Sequence, residues 1–348
     1  MRQSLLNIIW RHSSRRVILT LAAILSVCCA QAQGPNNSGS YYQAADGKKG
    51  AALKTALCGI IYNRTERTYA QLWQDFKTTD VRDDGKIWDM YSNITNYEPG
   101  GPAQGANYKA EGDSYNREHS FPNSWFGGKV QPMYTDLHHV YPTDGWVNNK
   151  RGNNPFGETN GESYKSANGF SKLGKCTYNG YNGMVFEPAD EYKGDFARTY
   201  FYMVTCYEEK LPDWYANYGS KEGVKPTIDG STYPGLTAWQ LEMLMKWSTN
   251  DPVDKKEIDR NNAVSNIQKN RNPFIDYPGL EQYIWGDKMD EAFSYDNYGQ
   301  SSIASIDTDD MTKPAAIYSP DGRQLPEMRR GINIVRLGDG RVMKVLNR

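Results

Sequence analysis

The chain is 348 residues long and is poor in histidine, cysteine and extended apolar runs: it has four His and five Cys. Beyond its N-terminus no stretch approaches the roughly 20 apolar residues of a bilayer-spanning helix, which excludes a multi-span membrane protein. A basic surplus is missing too. The 40 Lys and Arg are balanced by 41 Asp and Glu, for a net charge of −1. The four arginines of residues 1–32 and a surplus of five positive charges in residues 313–348 leave −10 on residues 33–312. A polyanion-binding protein is more often basic, so any phosphate chemistry in this body must rest on local cations or a metal. What the chain has in quantity is aromatic side chains, 13% of the total with 25 Tyr, far too many for a chain that buries nothing.

The two ends read as separate from the body. Arg11, Arg15 and Arg16 precede an apolar run from Val17 to Cys29, and Ala30-Gln31-Ala32 follows with small residues at alternate positions. That order predicts a secretory signal over residues 1–32. Export permits disulfides, but Cys58, Cys176 and Cys206 then remain, an odd trio and no disulfide framework, with Cys176–Cys206 as the one expected bridge. At the other end, residues 299–314 are polar and contain Pro, Asp and Ser, as a linker does. Short β-like runs with Asp-Gly turns follow over 315–348 and predict a small β module.

The body, residues 33–298, reads as mainly helical with a small β element. Apolar spacing predicts helices over 51–61, 66–76, 189–208 and 236–247. Another is expected from Pro252 to about Lys269 with Asp251 as its N-cap, and a short closing helix over 278–285. The aromatic side chains of 196–207 fit core packing. Arg260-Asn261-Asn262 and Asn270-Arg271-Asn272 fit packing and capping at least as well as substrate contact.

The histidines carry the chemical signal. Apart from His12 they are His119, His138 and His139, all within 21 residues. Histidine is the side chain best suited to moving a proton near neutral pH, and Glu118 beside His119 offers a hard oxygen for a divalent cation. Residues 137–141 read as a strand, 142–145 as a turn, and a helix follows with Thr143 or Asp144 near its N-cap and Asn148 in its first or second turn. Strand, loop, strand and helix in this order can bring Glu118, His119 and Asn148 to one point. Neighbours on a strand point to opposite faces, so one of His138 and His139 is expected to face the site. His138 and Asp136 are read as supports that orient it. Arg151, and next Arg117, are the candidates for stabilising charge on a phosphate.

Three segments give the pattern a family likeness. R-E-H-S-F-P-N-S-W-F-G at 117–127, D-L-H-H-V-Y-P-T-D-G-W-V-N-N-K-R-G-N-N-P-F-G at 136–157 and E-P-A-D-E-Y-K-G-D-F-A-R-T-Y-F-Y-M at 187–203 resemble the endonuclease I family of secreted bacterial nucleases, which belong to the ββα-metal or His-Me finger group. The likeness extends over roughly residues 50–286. It implies an α+β fold, with a ββα-metal finger set in a mainly helical body, and metal-dependent, largely sequence-nonspecific hydrolysis of DNA and often RNA. His119 would be the general base, Glu118 and Asn148 the ligands of one Mg²⁺, with Mn²⁺ or Ca²⁺ as substitutes. Arg117 and Lys150 are expected to contact substrate, and Arg151 to assist catalysis. Residues 105–175 carry a net charge of only +1, so substrate binding should be salt-sensitive.

The C-terminal module resembles the sorting modules of type IX secretion. That implies a partner in the secretion machinery and a location outside the cell, in the periplasm or on the surface of a Gram-negative bacterium. No stable protein partner is implied otherwise. Two other readings are a zinc hydrolase built on the same His cluster and an inactive extracellular binding protein. The absence of an H-E-x-x-H pairing speaks against the first, and intact Glu118, His119 and Asn148 against the second.

Overall fold

The computed structural model describes residues 34–298 and, in the C-terminal segment, residues 316–319, 323–325, 328–329, 331–336 and 342–347. The expected signal over 1–32 and linker over 299–314 lie outside the described residues. The chain divides into two compact units, Met1–Asp296 and Asn297–Arg348.

The first unit is α+β. Its helices are α1 (Gly50–Ile61), α2 (Leu72–Thr79), α3 (Gly145–Arg151), α4 (Lys193–Cys206), α5 (Leu211–Tyr218), α6 (Val224–Thr227), α7 (Ala238–Asn250), α8 (Lys255–Gln268), α9 (Pro273–Asp276) and α10 (Leu280–Trp285). An antiparallel pair, β1 (Tyr115–His119) and β2 (Val140–Asp144), stands apart from a three-stranded sheet of β3 (Tyr164–Lys165), β4 (Lys172–Lys175) and β5 (Met184–Glu187).

Helix α4 is the axle of the unit. Every residue from Gly194 to Cys206 is buried, polar ones included. Phe196, Tyr200, Phe201 and Val204 each contribute about 1.5–3 kcal/mol by leaving water. The buried charges are paired: Arg198 grips Glu257 of α8 through two bonds of 2.6 Å, and Asp195 accepts from Lys256 at 2.5 Å. A single apolar face would not predict burial on all sides; the polar side takes partners from α8.

The start of α8 differs from the sequence expectation. Its N-cap is Asp254, in a reciprocal capping box with Glu257, and not Asp251. Asp251 is occupied elsewhere, its carboxylate accepting from the Gly194 backbone at 2.8 Å in the first turn of α4. Helix α2 likewise begins six residues later than its apolar spacing suggested. The expected Cys176–Cys206 bridge is not formed, and Cys58, Cys176 and Cys206 are all free thiols. Cys206 Sγ lies against Arg64 Nη2 at 2.9 Å, while Cys176 sits beyond β4 with its Sγ on the Tyr178 carbonyl.

Strands β1 and β2 pair with Glu118 opposite Tyr141 and His119 opposite Val140. Beneath them lies an apolar cluster that includes Leu72, Phe76, Tyr97, Tyr115, Leu137 and Val140. The strand expected over 137–141 is shifted. Residues 137–139 form a turn and the strand runs from 140 to 144, directly into α3. Asp136 causes the shift: its carbonyl accepts from His139 and Val140, and its carboxylate from the His138 backbone, which curls the chain before it can extend. Asp144 caps α3, its carboxylate accepting from Val147 N at 2.8 Å. Gly145 follows because a Cβ there would lie 2.4 Å from the Tyr108 ring.

The second unit is a four-stranded antiparallel sheet in the order Gln324–Leu325, Ala316–Tyr318, Gly331–Arg336, Val342–Asn347, with Ile317, Leu325 and Val335 clustered on it. The expected Asp-Gly turns fall outside the described residues.

Candidate active site

Glu118 and His119 end β1, and alternation along a strand sends them to opposite sides, so of the three residues expected at one point the side-chain contacts join Glu118 to Asn148 and leave His119 on the other face. Glu118 turns toward α3. Its Oε1 accepts from Arg151 Nη1 at 2.5 Å and from the Tyr91 hydroxyl at 3.0 Å, and the Asn148 amide is a further hydrogen-bond neighbour. Burial raises the carboxyl pKa, against the opposing pull of Arg151, Tyr91 and Asn148. Asn148, one turn into α3, donates its amide N–H to Asn116 Oδ1 at 2.7 Å. The same amide N–H₂ group faces Glu118, so the Asn148 carbonyl oxygen points away from both partners. Glu118, Asn148 and Asn116 thus bring one carboxylate and two side-chain amides together at the junction of β1 and α3. Turning the Asn148 amide over sets its oxygen beside the Glu118 carboxylate, a pair of hard donors that suits a Mg²⁺-like ion keeping several of its waters.

His119 is 7% exposed and its Nε2 lies 2.9 Å from the Tyr134 carbonyl. A carbonyl only accepts, so Nε2 carries the proton and Nδ1 keeps the lone pair. Burial, with smaller repulsions from His139, Arg117 and Arg151, lowers the imidazole pKa to about 3. The ring is therefore neutral at physiological pH. It lies nearly parallel to Tyr134 (centroids 5.0 Å apart) and to Tyr69 (6.1 Å).

Arg151 differs from what the sequence suggested. It has no exposed surface, and its guanidinium is spent on Glu118, on the His119 carbonyl at 3.0 Å and on the Ser120 carbonyl at 2.7 Å, with Nε on Asn154 O at 3.2 Å. In this arrangement it offers a phosphate no face and acts on the site by holding Glu118 and the end of β1.

Asp136 and His138 are buried behind the site in a polar network. The Asp136 carboxylate takes bonds from Arg64, from the Tyr202 and Tyr207 hydroxyls at 2.8 Å and from Gln268 at 3.0 Å. Burial opposes its ionisation, yet Arg64 and the two neighbouring imidazoles hold its pKa well below the usual carboxylate range. His138 Nε2 meets the Asn270 carbonyl at 3.3 Å, and His139 Nε2 the Met133 carbonyl at 2.6 Å. Because 138 and 139 lie in a turn, strand alternation does not divide them. Each of the three imidazoles addresses a different carbonyl, and among the described residues no group of three or more His, Cys, Asp or Glu is arranged to hold a metal.

Arg117 lies on the His119 side of β1, over the Tyr69 ring, and Lys150 places its Nζ 4.4 Å from the centre of Trp146. Tyr91, Asn116 and Tyr134 were not singled out in the sequence. Asn116 had a signal, since it lies two residues before Glu118 and shares its face. Tyr91 and Tyr134 had none, because their roles arise from distant segments folding together.

The chain is similar to known proteins over most of its length. Residues 49–279 match the family model described as Endonuclease I. An extracellular ribonuclease of Bacillus amyloliquefaciens is 39% identical over 251 residues, covering 71% of this chain and 78% of that protein. An extracellular ribonuclease of Bacillus subtilis (strain 168) is 35% identical with the same coverage. A periplasmic deoxyribonuclease of Aeromonas hydrophila is 27% identical over 146 residues, 41% of this chain and 48% of that protein.

Proposed function

Since the chain belongs to the endonuclease I family and is a phosphodiester-hydrolysing enzyme, we propose that it is an exported, divalent-metal-dependent endonuclease that cuts RNA and DNA with little regard to sequence. His119 is its general base, and Glu118 and Asn148 hold the cation. The observation that carries this reading is the Nε2 contact of His119 with the Tyr134 carbonyl. It fixes the tautomer and leaves a neutral Nδ1 to take a proton from water as that water attacks phosphorus. A bound cation, Mg²⁺ by preference, supplies charge neutralisation at the phosphoryl oxygen and the leaving group.

The protein's own side chains divide the remaining work. Arg151 and the Tyr91 hydroxyl fix Glu118 Oε1. Tyr134 and Tyr69 hold the plane of the base. Arg117 and Lys150 meet the substrate backbone. Asp136 and His138 brace the turn that leads into β2. RNA is put first because the relatives that match across most of the chain bear the name ribonuclease, whereas the deoxyribonuclease match covers less than half of it.

Export agrees with the relatives' names, extracellular and periplasmic, and residues 1–32 are proposed as its signal. Sorting through the C-terminal sheet is a proposal on its sequence pattern alone. The expected Gram-negative origin gains no support from relatives in Bacillus.

The test is a cleavage assay on supercoiled plasmid and on RNA after chelation, with Mg²⁺ or Zn²⁺ restored. Mg²⁺ should restore both activities and Zn²⁺ neither. Recovery with Zn²⁺ alone would overturn the metal assignment, and no cleavage with any metal would overturn the reading.

A further inference from the structure

Arg117 stands apart from the other arginines of residues 34–296. Each of those grips a carboxylate. Arg117 has no acidic partner among the described residues. It is nonetheless half-buried. Its guanidinium carbon lies 3.4 Å from the centre of the Tyr69 ring and 4.2 Å from that of Trp73. Nη1 is spent on the Tyr69 carbonyl at 2.6 Å, and Nε is buried with no partner. A cation kept out of water without a counter-charge is costly, and a buried donor left unpaired adds to that cost. A desolvated cation with an unmet donor is a candidate for binding an anion.

The position indicates which ligand. Arg117 and His119 are two residues apart on β1, so they share a face and stand about 7 Å apart along the strand. That is comparable to the step between successive phosphates of a single strand. Glu118, on the opposite face, is bonded to Arg151 and does not neutralise Arg117. The clamp adjoins the base, because the Tyr69 ring stacks on Tyr134 at 4.5 Å and Tyr134 stacks on His119. A guanidinium donates to phosphate oxygens, and the half-buried Arg117 gives a protein carbonyl only its Nη1.

We propose that Arg117, clamped between Tyr69 and Trp73, is an anion subsite for the phosphodiester group neighbouring the one that is cut. This rests on the nuclease reading above. The subsite makes the enzyme favour chains with several phosphates over a dinucleotide, and it orients the strand across His119. Free inorganic phosphate shares the chemistry, and the test separates the two.

Two measurements decide it. In the first, kcat and KM of Arg117→Ala and Arg117→Lys are compared with wild type on a hexanucleotide and on a dinucleotide with one phosphodiester. The expected result is a KM rise on the hexanucleotide at least about tenfold larger than on the dinucleotide, with Lys recovering a small part. Equal losses on both substrates, or none on either, would overturn the subsite. In the second, a labelled hexanucleotide is bound without cutting by the His119→Ala protein in chelator across a salt series. Adding Arg117→Ala should lower the salt slope by about 0.7, one phosphate contact on a single strand. An unchanged slope overturns the proposal. So does inorganic phosphate displacement that depends on Arg117 while hexanucleotide binding does not. The slope does not depend on catalysis, so a wild type that cuts nothing would sink the nuclease reading and leave this measurement standing.

Discussion

Arg151 Nη1 lies 2.5 Å from Glu118 Oε1 and 3.0 Å from the carbonyl oxygen of His119. One guanidinium on α3 thus fixes the carboxylate of one candidate site residue and the backbone of the next. It ties the helix to the end of β1 at the point where the chemistry is proposed to occur. Replacing it leaves Glu118 buried without its counter-charge, bonded only to Tyr91 and Asn148. Arg151→Met is expected to destabilise the protein by about 3–5 kcal/mol in urea unfolding. Adding Glu118→Gln should return part of that loss, because the stranded charge is gone. Strictly additive losses would show that the pair is not coupled.

Asn148 reaches its place because α3 starts without a loop. The Asp144 carboxylate caps the helix and also accepts from the Tyr97 hydroxyl at 2.6 Å and Gly112 N at 2.8 Å. Asp144→Ala should cost about 1–2 kcal/mol for the cap alone. It should also lower kcat as the helix start loosens. Full activity together with the stability loss would separate the cap from the site.

The cation assignment predicts a change in metal dependence. Asn148→Ala should raise the Mg²⁺ concentration for half-maximal activity by at least about 10–100-fold, the range seen when even outer supports of a metal are removed. A Mg²⁺ profile identical to wild type would remove Asn148 from the set.

Burial lowers the His138 pKa to about 3, against the attraction of Asp136. The unfolded chain, with its ordinary value near 6.5, binds the extra proton first. The stabilising contribution of a neutral His138 is therefore complete above about pH 6.5 and is lost as pH falls toward the folded value. His138→Gln should then cost roughly 2 kcal/mol less at pH 5 than at pH 7.5. A penalty that does not change with pH would mean that this imidazole is not held neutral.

The residues of the candidate site were partly legible before the fold. Glu118, His119 and Asn148 announce themselves by residue type and by clustering of the histidines. The Asp144 cap follows from an acid just ahead of a helical run. The role of Arg151 did not follow, because adjacency to the motif reads the same for an arginine facing solvent and for one folded under it. Only the pairing of β1 with β2 puts Glu118 over α3. Asp251 misled for a related reason: an acid before Pro252 looks like a cap for the next helix, whereas the fold uses it on α4. The strand expected at 137–141 failed because a buried Asp136 with four side-chain donors of other segments overrode local β preference.

The central claim is that His119 takes the proton from the attacking water. Its most direct test is the cleavage rate of His119→Ala against wild type on supercoiled plasmid and RNA at saturating Mg²⁺, with unfolding curves for both proteins. The account predicts a folded variant at least about 10²-fold slower on both substrates. A folded variant that cuts at the wild-type rate would contradict it.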